Sequence, residues 1–450
     1  MMRTKVIVTA AIILVGAIGT VLLYGVGSNA TQYRSEGIVV DFGDYLTLWT
    51  DAGIGGNHDP VGLLDTAKEQ HANTGFDYTI TDGKLTDVKY NSVDYPNDST
   101  HTWSLWTVSE GKFDAVRNDD YSLDVSDYTA VIWAYTEADG KPMVAVDATG
   151  TSIYGYAEPQ SLVSLSPVCT ETLNSVRGTQ RIIGTDMYSD YPKEIKTGHD
   201  DGSIAIVGSY TDPSYESIMK VSPEMVFCDA STYNQVQIAG MLRSSNVNAV
   251  VLYNGEDVDT ICKNIFISGI AIGYNLAGQA YIQKLNYYIK TFEDMANSVD
   301  GSSVMVSLSS DPSPWVAGNY TYVNDIIEKL NSDNVFGGTS GWSNITAESI
   351  HQKNPGCIIV IGSDTYSASE YDTMIANLSS EWKSTDAYAN GRIYLLSDDM
   401  GLLASRAGPR FIQLMEIMCQ IVTPDAYADP IPKAIGDDYH NYLYLTGGME

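Results

Sequence analysis

The side chains with most chemistry to offer are aromatic rings in polar, glycine-rich or proline-rich surroundings. Tyr191 belongs to the run Tyr188-Ser189-Asp190-Tyr191-Pro192. Tyr210 follows Val207-Gly208-Ser209. Trp315 follows Pro312-Ser313-Pro314, and Trp342 follows Gly337-Gly338 and Gly341. Such places read as loops, and loops on a rigid scaffold tend to carry function. Each ring offers about 150–250 Å² of contact surface with little to react, so the chemistry is binding. Catalytic patterns are missing. No GxSxG, P-loop or GxGxxG follows a strand-like run. Ser166 precedes a proline with no histidine nearby, and a strand would send the adjacent Asp398 and Asp399 to opposite faces. The 6 histidines show no HxxxH pair and the 5 cysteines no CxxC, which argues against zinc. The odd cysteine count leaves a thiol free. A Cys228–Cys262 disulfide stays open in an oxidising compartment.

These rings need elements to hold them. Leu162 to Leu165 reads as a short strand ended by Ser166-Pro167, followed by a helix from about Thr170 and a strand at Arg181-Ile182-Ile183-Gly184. Strands at Ala205–Gly208, Met225–Phe227 and Ala249–Tyr253 then alternate with helices at Ser214–Val221 and Gln235–Ser244. That alternation predicts a parallel sheet with right-handed crossovers, whose ligands sit at the carboxyl ends of the strands. Leu276 to Val299 is one long helical pattern, with Leu285, Tyr288, Ile289, Phe292 and Met295 three and four apart. A second alternating set starts at Val304-Met305-Val306, includes Cys357–Ile361 and Arg392–Leu396, and closes with a helix near Gly408-Pro409-Arg410. The expected domains are therefore a first lobe at 161–270, a bridging helix at 274–300 and a second lobe at 303–424. A tail at 425–450 stays unplaced. Glu216 and Glu348 each stand early in a helix. Alone, each reads as charge–dipole stabilisation worth about 0.3–1 kcal/mol.

Upstream, residues 37–145 read as a separate α+β domain. It has one helix near Val61–Asn73 after Asp59-Pro60. Its strands fall around Ile38–Phe42, Tyr45–Trp49, Phe76–Ile80, Thr102–Trp106 and Ala130–Tyr135. Trp103, Trp106 and Trp133 read as its core. Residues 146–160 read as the linker. At the N-terminus, Val6 to Gly27 is almost wholly apolar, about the length that crosses a bilayer. Arg3 and Lys5 precede it, which puts the rest of the chain outside the cell. Residues 1–30 are thus a transmembrane anchor, or a signal peptide cut near Ser28-Asn29-Ala30. The net charge of −31 excludes a nucleic-acid surface, which needs clustered Lys and Arg.

The ordered landmarks Ser164–Pro167, Gly184–Pro192, Pro223–Phe227, Asn334-Val335-Phe336, Asn354-Pro355 and Gly408-Pro409-Arg410 span residues 161–424. They resemble the substrate-binding proteins of ABC importers for vitamin B12 and iron–siderophores. Residues 37–145 resemble the small β-rich C-terminal domain of the transcobalamins, through Gly62-Leu63-Leu64, Trp103–Trp106 and Tyr121-Ser122-Leu123. The resemblance implies an α/β class III periplasmic-binding-protein fold: two Rossmann-like lobes bridged by one long helix. It implies a monomeric, extracytoplasmic carrier with no catalytic cofactor, working with a permease and its ATPase. Its ligand would be a cobalamin-type corrinoid held between the lobes by Tyr191, Tyr210, Trp315 and Trp342, with Arg406 nearby. Glu216 and Glu348 would dock on permease arginines. A ferric siderophore or heme is the alternative cargo, since arginines such as Arg406 and Arg410 grip anionic chelates. A surface sensor or adhesion protein that kept the fold without a transporter is the reading from another class.

Overall fold

The computed structural model describes residues 37–449, apart from 44–46, 52–58, 109–115, 126–127, 129, 139, 141, 143–144, 154–158, 363–365 and 428. The expected N-terminal anchor at 1–30 lies outside these. Among the described residues no helix is long and apolar enough to cross a membrane. The described residues form two compact units, one holding 37–253 with 263–282, the other 254–262 with 283 onward.

Within the first unit, the upstream segment builds a five-stranded sheet in the order Thr47–Asp51, Gly37–Asp41, Ala130–Glu137, His101–Val108, Val116–Asn118. A second sheet of Asp77–Thr81, Lys84–Tyr90 and Val93–Pro96 accompanies it. Helix Pro60–Gln70 starts where Asp59 accepts from the Val61 and Gly62 amides, with proline in its first turn, where a missing N–H costs nothing. Trp133 is fully buried and donates from Nε1 to the Pro60 carbonyl at 3.1 Å. Trp103 and Trp106 are buried as well, so the three tryptophans are core.

The expected linker is less free than its composition suggests. Ala145–Val146 pairs with Ser152–Ile153. Asp147 between them is buried. Its carboxylate pairs with Arg243 and accepts from the Val251 amide at 3.0 Å, and the Ala148 amide donates to the Val251 carbonyl. The hairpin therefore covers the edge strand of the next sheet, whose open ladder would otherwise invite pairing.

That sheet has five parallel strands in the order Ala205–Ile206, Ile182–Thr185, Leu162–Ser164, Met225–Asp229, Asn248–Leu252. Its first strand is central, so successive crossovers leave it in opposite directions. Helix Pro167–Ser175 begins three residues before the expected Thr170, because Ser166 accepts from the Cys169 amide and caps it.

Helix Asn275–Ala296 runs 22 residues, with Leu285, Tyr288, Ile289 and Phe292 buried. The boundary between the two units falls within it. The second lobe repeats the strand order of the first: Trp342–Asn344, Trp315–Ala317, Ser303–Ser307, Cys357–Ile361, Ile393–Leu396, Ala434–Ile435. Asp333–Asn334 also pairs with the start of Ser303–Ser307, and the direction of one strand breaks the expected repeat. Strand Trp315–Ala317 runs antiparallel to both its neighbours. The unplaced tail joins this lobe. Ala434–Ile435 extends the sheet. Buried Glu416, on helix Phe411–Val422, accepts from the amides of Tyr444, Leu445 and Thr446 and from the Thr446 hydroxyl. All five cysteines are free and buried, so the Cys228–Cys262 bridge does not form.

Candidate functional site

In the first lobe the rings stand on loops at the carboxyl ends of the parallel strands. Residues 186–192 follow strand Ile182–Thr185. Tyr210 lies between Ala205–Ile206 and helix Tyr215–Lys220. The amide of Met187 donates to the Gly208 carbonyl at 2.9 Å and ties the two loops together. Gly208 has φ +129, and a Cβ there would stand 2.8 Å from Asp212, Pro213 and Ser214 backbone atoms. Only glycine permits so tight a return.

A buried chain of hydroxyls seats the first loop. Ser164 meets Thr170 at 2.7 Å, Thr170 meets Ser189 at 2.8 Å, and Ser189 donates to Asp186. Asp186 also accepts from the Tyr188 amide at 2.8 Å. A fully satisfied polar network of this kind fixes one geometry. Its product is a ring pair: Tyr188 and Tyr210 meet edge to face with centroids 5.8 Å apart. They keep 51% and 42% of their surface exposed, and Met187 beside them is exposed too. The sequence singled out Tyr191 from this run. The structure leaves Tyr191 half-buried and gives Tyr210 the other tyrosine of the pentapeptide as partner. Spacing alone does not distinguish the two. The signal was the pentapeptide itself.

In the second lobe, Trp315 and Trp342 are not loop residues, as the surrounding glycines and prolines suggested. They lie on the two adjacent short strands at one edge of the sheet. Trp315 pairs with Asn344 and Ala317 with Trp342. Cross-strand partners share a face, as do residues two apart on one strand, so the tryptophans are diagonal neighbours on one face. Ala317 between them is fully buried, Val316 on the opposite face joins the core, and Trp315 stays 52% exposed. Asn334 holds this strand in place, donating to the Ala317 carbonyl at 2.9 Å and to Asn324 at 2.8 Å.

Glu216 is the second residue of helix Tyr215–Lys220, capped by Ser214. Glu348 is the second residue of helix Ala347–Lys353, capped by Thr346. Both are exposed. Each helix directly precedes the strand that pairs with its lobe's first strand, so the two glutamates hold equivalent places in the two topologies. Arg406 follows helix Asp398–Ala404 and is partly exposed. Arg410 is buried at the start of helix Phe411–Val422. Among the described residues no group of His, Cys, Asp and Glu is placed to hold a metal ion.

Residues 162–400 match a protein-family model described as periplasmic binding protein. The chain is 22% identical over 292 residues to an uncharacterized ABC transporter substrate-binding lipoprotein of Bacillus subtilis (strain 168), covering 64% of this chain and 88% of that protein. It is 20% identical over 283 residues to a cobalamin-binding protein of Halobacterium salinarum, covering 62% and 73%. Among solved structures, a possible iron-binding (periplasmic solute-binding) protein of Staphylococcus epidermidis aligns with a TM-score of 0.50 at 23% identity, covering 59% of this chain and 98% of that one. At that identity the likeness is one of fold.

Proposed function

This chain belongs to the periplasmic binding protein family, and from that membership we propose that it captures a cobalamin-type corrinoid outside the cytoplasm and delivers it to an ABC importer. It is a binding protein rather than an enzyme. The observation that carries the ligand reading is two aromatic surfaces, the exposed Tyr188 and Tyr210 in one lobe and the exposed Trp315 beside a half-buried Trp342 in the other. Flat ligands are held by such faces, with few polar groups to set their rotation. Tyr191, at the end of the same loop, lends a further edge.

The charge of these segments supports a neutral cargo. Residues 186–192, 207–214 and 308–315 contain Asp186, Asp190, Asp212 and Asp311, and no lysine or arginine. A corrin rimmed with amides needs no cation there. Heme propionates and anionic ferric chelates do. Arg406 is the feature that favours such a chelate as the second reading. The cobalamin-binding relative from Halobacterium supports the first.

Glu216 and Glu348 are proposed as the contacts to the permease, one per lobe, and the apolar run at residues 6–27 as the membrane anchor. The upstream domain, similar to a transcobalamin segment, is proposed to serve the same cargo. Ring-deletion variants test the ligand reading. Trp315→Ala with Trp342→Ala is expected to weaken cyanocobalamin binding by at least about tenfold, as loss of buried aromatic anchors does. An unchanged dissociation constant would refute it.

A further inference from the structure

We propose that Gln235 is the positioning residue for the exposed tyrosine pair, a role that rests on the binding reading above. It is the third residue of helix Tyr233–Ser244 and is fully buried. Its Nε2 donates to the Leu165 carbonyl at 2.9 Å and to the Tyr210 carbonyl at 2.7 Å. Its Oε1 accepts from the Asp229 amide at 2.8 Å. One side-chain amide thus joins three segments: the end of the first strand, the loop that carries Tyr210, and the end of strand Met225–Asp229.

Neither Leu165 nor Tyr210 lies within a strand, so their carbonyls need a partner from elsewhere. A buried main-chain group left unpaired forfeits its hydration with nothing in return. Two donors and an acceptor on one planar group are what Gln supplies here. Ionised Glu has no donor, and Leu has neither. The helix itself does not ask for glutamine, since Leu or Ala would serve its propensity as well. The adjacent Asn234 donates to the Thr211 carbonyl at 2.9 Å. That bond is exposed, where water replaces it at little cost. Gln235 therefore fixes the Tyr210 backbone from behind while Tyr188 meets the ring in front. Being fully buried, it acts on a ligand through Tyr210.

The full-length protein with Q235E keeps the side-chain shape but turns an oxygen towards the two carbonyls. At about pH 9.5, above the range of about 8–9 that desolvation can give a buried glutamate, this variant is expected to bind cyanocobalamin at least about fivefold more weakly than the parent. Hydrogen exchange at the Met187 and Ser214 amides, which tie down the Tyr210 loop, is expected to accelerate by a similar factor. At about pH 5 the buried carboxyl, whose pKa desolvation raises, takes up a proton and regains one donor. The deficit then shrinks in Q235E and persists in Q235L. N234A is expected to change affinity less than about twofold, as an exposed bond should. Parent-like affinity and exchange in Q235E at the higher pH overturn the assignment. So does a Q235E deficit that acidification leaves untouched. The exchange measurement needs no ligand. A parent that binds no corrinoid refutes the binding reading, while the exchange result still decides whether Gln235 holds the loop.

Discussion

Tyr188 and Tyr210 keep about half their surface in solvent although each is tied into a buried hydrogen-bond network. The network pre-pays the ordering of both loops, which is what lets a ring contribute to affinity. Tyr210→Ala is expected to raise the corrinoid dissociation constant by about tenfold with little change in stability, read by calorimetric titration and thermal melting. The glutamates make a different prediction. Glu216→Ala with Glu348→Ala is expected to abolish uptake in cells while leaving ligand affinity intact. Normal uptake by the double variant removes the docking role. The thiols predict a pH dependence. Burial pushes Cys262 up to about 12 and Cys357 up to about 11, from an ordinary value of 9.0. Their folded pKa values lie above the unfolded ones, so this contribution to stability is full below about pH 9 and is lost as pH rises towards 11 to 12. Urea midpoints across that window should fall, less steeply for Cys357→Ala, and native thiols should resist aromatic disulfide reagents.

At the scale of elements, the helix–strand alternation of the first lobe is legible because buried parallel strands read as short apolar runs between amphipathic helices. The long helix is legible for the same reason. What the sequence hides is short or non-local. Trp315 and Trp342 sit on strands of three residues flanked by prolines and glycines, and nothing local separates such strands from loops. Gln235 and Glu416 look misplaced in their helices until main-chain groups from distant segments are seen to meet them. Asp147 sits in a segment whose composition is that of a linker, yet Arg243 and the Val251 amide bury it. Glu416 carries the clearest stability prediction. Glu416→Ala strips the partner from three amides and a hydroxyl. It should lower the unfolding free energy by on the order of 3 kcal/mol, measured by urea denaturation. A loss under about 0.5 kcal/mol would mean the tail finds other partners or water.

The whole molecule carries 56 acidic against 25 basic side chains. Such an excess favours solubility but strains the compact state through self-repulsion, which salt screens with a Debye length of about 10 Å at 0.1 M. Thermal stability is therefore expected to rise as salt goes from about 0.05 M to about 1 M. A flat or falling midpoint would show that local pairing already balances the charge. The same field repels anionic cargo and leaves a neutral amide-rimmed corrin untouched. That prediction meets the central claim most directly in one experiment: parallel titration of the purified full-length chain with cyanocobalamin, hemin and a ferric siderophore, followed by absorbance and calorimetry. Saturable one-to-one binding of cyanocobalamin, at least about tenfold tighter than either competitor, is the expected result. Tighter binding of hemin or the ferric chelate, or no corrinoid binding at all, would contradict it.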